Sequence, residues 1–262
     1  MARTKKQSIN YNRVLKIGDF DNLDMYIQNR KSWEIAMAIR TLRDHGATSP
    51  DAILLGVGAA KERTIFELAN ENDCRFIIPS DLYFNMGVWH GWADPKFVQY
   101  PGLSVPDGIE CDHWRILPRH ADMTALPFPD NSIDGIFSSG SIEHVGQEGI
   151  FDKEAIKKAA SEIGRVVKPG GIVSLSTEWK ISGDGWGFGH VRLFDEETIQ
   201  ECIIEASGLE LIDEPDWSVD DSTDVIALAD IVSGISDNGY GTISHNDFVF
   251  TSVHLALKKK EL

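Results

Sequence analysis

Short apolar runs alternate with helix-patterned segments from residue 23 to residue 257, and this alternation constrains the fold more than any other feature of the chain. Segment 23–45 carries Trp33, Ile35, Met37, Ile39 and Leu42 at spacings that include three and four residues, with Asp21 or Asn22 to cap its start and Gly46 to close it. Residues 52–55 are an apolar run, read as a buried strand, followed by a helix over about 61–70 and a second strand over 75–78. The pattern resumes with strands at 115–120 and 133–138, a helix at 153–167 stopped by Lys168-Pro169-Gly170-Gly171, and a strand at 172–177. A helix at 196–207, closed by Gly208, and strands at 209–212 and 248–257 complete the series. Strands separated by helices imply βαβ units, because a parallel neighbour needs a crossover connection. The expected architecture is α/β: a seven-stranded, mostly parallel sheet with helices on both faces. The last strand follows a long connection and is expected antiparallel, near a sheet edge.

With 262 residues and 42% apolar composition, the chain suits one domain with a large core. The expected organisation is a single domain over 1–262, with an N-terminal helical segment at 1–46 and insertions at 83–114 and 215–245. The insertions are longer than an α/β domain needs for connection alone, which makes them candidate lids or substrate walls, or plain surface decoration. No secretory leader or membrane-spanning run is legible, and Cys74, Cys111 and Cys202 are scattered and odd in number, so a cytoplasmic protein with reduced thiols is expected. The net charge is −16, and residues 193–257 hold 15 acids and neither Lys nor Arg. That balance repels phosphate backbones and argues against nucleic acid as a partner. The acidic segment reads as a solvated surface or as a cation-attracting site. Oligomeric state is not legible.

The first strand runs into Gly56-Val57-Gly58-Ala59-Ala60-Lys61-Glu62 and then a helix. A glycine turn between strand and helix lets a ligand approach the backbone, where unpaired N–H groups collect. Asp81 ends the second strand 23 residues after Gly58, a distance that suits a carboxylate binding a ribose diol. A nicotinamide dinucleotide would use the same carboxylate, but its third glycine would fall at Lys61, which crowds the helix–strand packing.

Three motifs in order make the pattern specific. After the glycine turn comes Ala121-Asp122-Met123-Thr124-Ala125-Leu126-Pro127-Phe128-Pro129-Asp130-Asn131-Ser132-Ile133-Asp134, continuing through Ser138-Ser139-Gly140-Ser141-Ile142-Glu143-His144-Val145. Then comes Glu162-Ile163-Gly164-Arg165-Val166-Val167-Lys168-Pro169-Gly170-Gly171. Over roughly residues 53–211, the aromatic insertion apart, the chain resembles the class I S-adenosylmethionine-dependent methyltransferases of the ubiquinone/menaquinone-biosynthesis type. The resemblance implies a Rossmann-like fold, S-adenosyl-L-methionine as cofactor and methyl transfer to a small-molecule acceptor. It places the backbone at Gly56, Gly58 and Ala59 against the methionine part of the donor and Asp81 on the ribose. Leu82 would pack on the adenine, Asp122 would accept from its amino group with Met123 alongside, and Ser138 and Ser139 would face the sulfonium. The chain departs from the family where an acid is usual at Gly56 and glycine is usual at Ala60 and Glu62. Ala60 fits only if its backbone is in an ordinary region. The altered loop keeps open a non-catalytic donor-binding regulatory or partner protein.

Transfer from a sulfonium is an in-line displacement that owes most to alignment, and a base is needed only where the acceptor must lose a proton. His144, after the fourth strand, and His190, in the glycine-rich loop 183–192, are the candidate catalytic residues; each also has a plain structural reading. Trp186 and Arg192, in the same loop, are the candidate acceptor contacts. Trp89, Trp92, Phe97 and Tyr100, with Tyr83 and Phe84, suit stacking on a ring, sugar or cation, or simple core packing. Cys111, His113 and His120 with Asp112 and Asp122 match no metal-ligand spacing, so no metal is expected. No G-x-S-x-G elbow supports a hydrolase.

Overall fold

The computed structural model describes residues 9–16, 19, 29–84, 93–146, 149–220, 225–228 and 241–261. Its frame follows from where the apolar runs fall. Strands β2 (Ile53–Val57), β3 (Phe76–Asp81), β5 (Ile133–Ser139) and β6 (Val167–Ser182) are buried on both faces over most of their length, as parallel strands covered by helices must be. Helix α1 (Arg30–Asp44) buries Trp33, Met37, Ile39 and Leu42 and starts at Asn29, whose side chain and that of Ser32 form a reciprocal capping box. The cap expected at Asp21 or Asn22 lies outside the described residues. Helix α2 (Arg63–Leu68) joins α1 on one face, where Ile39, Leu42, Ile65 and Phe66 pack with Leu54, Ile77 and Phe137. Helices α4 (Lys153–Val166) and α5 (Glu196–Ile199, extended by a π-helical stretch over Gln200–Glu205) cover the other face, with Ile156, Ile163 and Ile203 against Ile136, Val173 and Leu175. Each such aliphatic side chain contributes about 1.5–3 kcal/mol by leaving water. The short helix α3 (Pro95–Gln99) lies in the first insertion.

The sheet order is β10-β11-β12-β6-β5-β2-β3-β4, with β4 at Arg119–His120, β10 at Val225–Ala227, β11 at Thr242–His245 and β12 at Phe248–Lys258. From β6 to β4 all neighbours are parallel. The doubly wound α/β sheet with an antiparallel last strand is therefore the observed fold. Among the described residues it has ten strands, more than the expected seven, because short segments extend it around β12. β12 is antiparallel to β6 on one side, and its other side is shared by β11, β1 (Arg13–Val14) and β9 (Glu210–Leu211). The last strand is thus antiparallel and near the sheet's edge, as expected, with its outer hydrogen bonds taken up by three short partners. The strand expected at 115–120 shrinks to β4, because Pro118 cannot donate to the ladder. A separate ribbon, β7 (Gly187–Phe188) with β8 (Val191–Arg192), forms the glycine-rich loop.

β2 lies between β3 and β5, and the chain leaves it in opposite directions on its two sides. This reversal opens a crevice beyond the carboxyl ends of β2 and β5, the place where α/β sheets take ligands.

Candidate functional site

The crevice is built by three turns, after β2, β3 and β5. At the end of β2, Gly58 takes φ +63°, and a side chain there would collide with Ser141 and touch the Met123 methyl at 3.0 Å. Glycine is therefore required twice over, by conformation and by space. Gly56 admits no side chain either, since a Cβ would sit 2.6 Å from Phe137 Cζ and 2.7 Å from Ala59 Cβ. Ala60 has φ +42°, so the ordinary backbone that alanine was expected to need is not what the loop adopts. Ala59 N–H donates to the Ser80 carbonyl at 3.1 Å, and the Ser80 hydroxyl donates back to the Gly56 carbonyl at 2.9 Å, which ties the loop to β3.

Asp81 closes β3 and faces this loop. Its Oδ2 accepts from Ala60 N–H at 2.8 Å and its Oδ1 from Leu82 N–H at 2.7 Å. Each oxygen keeps a lone pair, so a vicinal diol can still donate to both. Burial pushes the Asp81 carboxyl up, while the two amides, His120 and His144 favour its charged form. Beneath it, the Tyr83 hydroxyl donates to the Ala60 carbonyl at 2.5 Å. Tyr83 and Phe97 are core residues in contact with one another, Phe84 and Tyr100 are exposed, and Trp89 and Trp92 lie outside the described residues.

After β4, Asp122 is exposed, and its Oδ1 accepts both the backbone N–H and the hydroxyl of Thr124 at 2.8 Å. At the end of β5, the hydroxyls of Ser138 and Ser141 are 3.1 Å apart, and Ser141 reaches the Val57 carbonyl at 3.2 Å. Ser139 points its carbonyl to the Lys31 ammonium at 2.7 Å, while its own hydroxyl is buried without a hydrogen-bond partner. Gly56, Gly58, Ala59, Asp81, Met123, Ser138 and Ser139 thus converge on one crevice, with Leu82 and Asp122 on the turns beside it.

The two candidate histidines meet through the backbone. His144 Nδ1 lies 3.0 Å from the His190 carbonyl, which fixes the ring proton on Nδ1 in the neutral form. Burial lowers the pKa of His144 and so favours that neutral ring. In the loop, Arg192 is fully buried; its guanidinium donates to the Ile150 and His190 carbonyls at 2.8 Å and faces the Trp186 ring at 5.6 Å. Trp186 in turn stacks on Phe151. Trp186 and His190 are partly exposed at the crevice end of the ribbon, whereas Arg192 holds the ribbon in place.

A buried charge network beside the crevice has no signature in the sequence. Arg30 bonds Glu178 at 2.6 Å and Glu34 at 3.3 Å, Lys31 bonds Glu34 at 2.8 Å, and Thr177 donates to Glu143 at 2.9 Å. Burial pushes Glu143 and Glu178 up to about 7, whereas Lys31 and Arg30 overcome burial at Glu34 and keep it low. Arg30, Lys31 and Glu34 stand at three- and four-residue spacing on α1, a pattern that exposed helix faces also carry; only the docking of α1 on the sheet buries the network. A separate concavity of about 500 Å³ is lined by Asp195, Glu196, Glu197 and Trp217, among others, and shares no residue with the crevice. Part of the acidic excess lies there.

Residues 106–175 match the family described as a methyltransferase domain. No curated protein matches the chain. Among solved structures, the YcgJ protein from Bacillus subtilis is similar with a TM-score of 0.55 and 19% identity, over 87% of this chain and 99% of that one. The cyclase SpnF is similar with a TM-score of 0.56 and 21% identity, over 97% and 88%. The geranyl diphosphate C-methyltransferase from Streptomyces coelicolor A3(2), solved with Mg2+, geranyl diphosphate and S-adenosyl-L-homocysteine, gives 0.53 and 12%, over 98% and 93%. The chain therefore has the fold of these proteins over most of its length and matches a methyltransferase domain within it.

Proposed function

We propose that the chain transfers a methyl group from S-adenosyl-L-methionine to a small-molecule acceptor by in-line displacement. The observation that carries this reading is Asp81, aimed at the glycine turn and charged with two backbone bonds, yet with acceptor capacity left on both oxygens. The Gly58 turn keeps the crevice open, and the orphaned Ser139 hydroxyl is a buried group that a ligand would satisfy. These residues fit the donor. When bound, it supplies a methyl group on a positive sulfonium, already activated for displacement.

The chain's own part is positioning. The backbone at Gly56, Gly58 and Ala59 lies along the amino-acid end, Asp81 takes the ribose, Leu82 and Met123 flank the base, and Asp122 accepts from its amino group. Ser138 and Ser139 line the reacting end. His144, with Nδ1–H committed to the His190 carbonyl and Nε2 3.8 Å from Glu143 Oε1, would accept a proton at Nε2 where the acceptor must lose one. His190 and Trp186 meet the acceptor, and Arg192 supports them. Such alignment is worth about 7–11 kcal/mol of a barrier when it is complete.

A second reading has a specific support: Ala60 is strained where the family has glycine, and Glu62 replaces another glycine. A fold of this kind does not by itself imply methyl transfer. Calorimetric titration with S-adenosyl-L-homocysteine and with NAD, followed by turnover of S-adenosyl-L-methionine with a metabolite pool, separates the readings. Binding with product formation is expected. Binding without any turnover selects a donor-binding regulatory protein, and NAD binding alone overturns both.

A further inference from the structure

Glu62 is the one residue of the glycine turn with an acid side chain, and among the described residues no hydrogen bond accounts for its Oε1. It precedes α2 with φ −70° and ψ 158°, the position of a helix cap, yet its side chain makes no capping bond. Its Oε1 is buried without a hydrogen-bond partner among the described residues. The hydroxyl of Thr64, itself fully buried, lies near it without reaching hydrogen-bond geometry. Lys31 is the cation that acts on it most strongly, but the Lys31 ammonium is bonded to Glu34 and to the Ser139 carbonyl and forms no ion pair with Glu62. Among the described residues, Glu34, Glu143, Glu178 and, from the crevice side, Asp81 therefore crowd Glu62 with negative charge, against the cations Arg30 and Lys31.

A buried carboxylate left unmatched costs several kcal/mol, which a compact hydrogen-bonding cation would offset. The neighbouring Ser139 hydroxyl, 4% exposed and also without a partner, adds an independent vacancy for a polar ligand group at the same corner. At the other end of the turn, Gly56 has no room for a side chain against Phe137 and Ala59.

We infer that Glu62 receives the α-ammonium of the donor's amino-acid end, supplying a carboxylate from the helix end of the turn. This assignment rests on the donor reading above. It distinguishes the two ends of the crevice: Asp81 serves a neutral diol, and Glu62 serves a cation. Burial pushes the Glu62 carboxyl up to about 8, so near neutral pH it becomes fully charged only when a cation arrives.

The test compares S-adenosyl-L-homocysteine, which has the ammonium, with 5′-methylthioadenosine, which lacks the amino-acid end. Both are titrated into the wild-type chain and into Glu62→Gln by calorimetry, with circular dichroism to check the fold. Glu62→Gln is expected to weaken S-adenosyl-L-homocysteine by about tenfold to a hundredfold, the range for a hydrogen bond to a charged group, and to leave 5′-methylthioadenosine within about twofold. If Glu62→Gln fails to fold, Glu62→Gly, which removes the buried side chain altogether, carries the same comparison. Equal losses for both ligands, or no loss for either, overturn the inference while leaving the donor reading in place. A wild-type chain that binds neither ligand overturns the donor reading, and this inference with it.

Discussion

Ala60 is an alanine at φ +42°, held there because its N–H is bonded to Asp81 and its carbonyl to Tyr83. The left-handed region costs a residue with a Cβ about 1–2 kcal/mol, and glycine returns part of that gain through its freer unfolded chain. Ala60→Gly is therefore expected to raise stability by about 0.5–1 kcal/mol in urea unfolding; a destabilised variant would show that the strain is absent. At this scale the sequence was informative where backbone geometry limits residue type. Gly58 and Asp81 were legible because a tight turn and a strand-end carboxylate leave a spacing. Glu62 was visible only as a departure, because its burial depends on Lys31 and Glu34 arriving from a distant helix. Glu143, beside His144, has no signature of its burial in the sequence for the same reason.

Among the elements, the ribbon β7–β8 is the one whose role follows from its attachments. Four glycines, Gly183, Gly185, Gly187 and Gly189, all take positive φ, and Gly187 has no room for a side chain against the Val191 carbonyl. The ribbon is nevertheless anchored, through Arg192 to Ile150 and through the His190 carbonyl to His144. Trp186→Ala and His190→Ala are expected to lower turnover at least tenfold with donor affinity unchanged, roughly the scale of one lost positioning contact. Arg192→Ala should do the same and also cost about 1–3 kcal/mol of stability, because it removes the guanidinium donors to the Ile150 carbonyl and one of the donors to the His190 carbonyl. Normal turnover in all three would make the ribbon a mere connection. The helices and long strands were legible from periodicity, with ends misjudged by a few residues. The short strands β1, β9, β10 and β11 were not, or only in part, because two to four residues carry no periodicity and pair only where β12 offers an edge.

For the whole molecule, β12 ties the N-terminal segment to the sheet through His254. Its Nδ1–H donates to the Tyr11 carbonyl at 2.6 Å and its Nε2 faces the Ser174 hydroxyl at 2.8 Å. Burial lowers its pKa from 6.5 to about 4. The unfolded chain binds this proton near pH 6.5 and the folded chain only near 4, so its contribution is present above 6.5 and is lost as pH falls through that window. The loss amounts to about 3 kcal/mol. Glu143 and Glu178, held up by burial, act in the opposite sense, so the effect is read as a difference. Urea unfolding should show the gap between wild type and His254→Gln shrinking as pH falls from 6.5 to 4; a constant gap would place the proton elsewhere. The central claim, a donor crevice organised by Asp81, meets its most direct test in calorimetric titration of S-adenosyl-L-homocysteine into wild type and Asp81→Ala. The account predicts saturable binding to wild type, weakened by about 1.5–3 kcal/mol in a folded Asp81→Ala. Unchanged affinity in that variant, or wild-type affinity for NAD in its place, would contradict it.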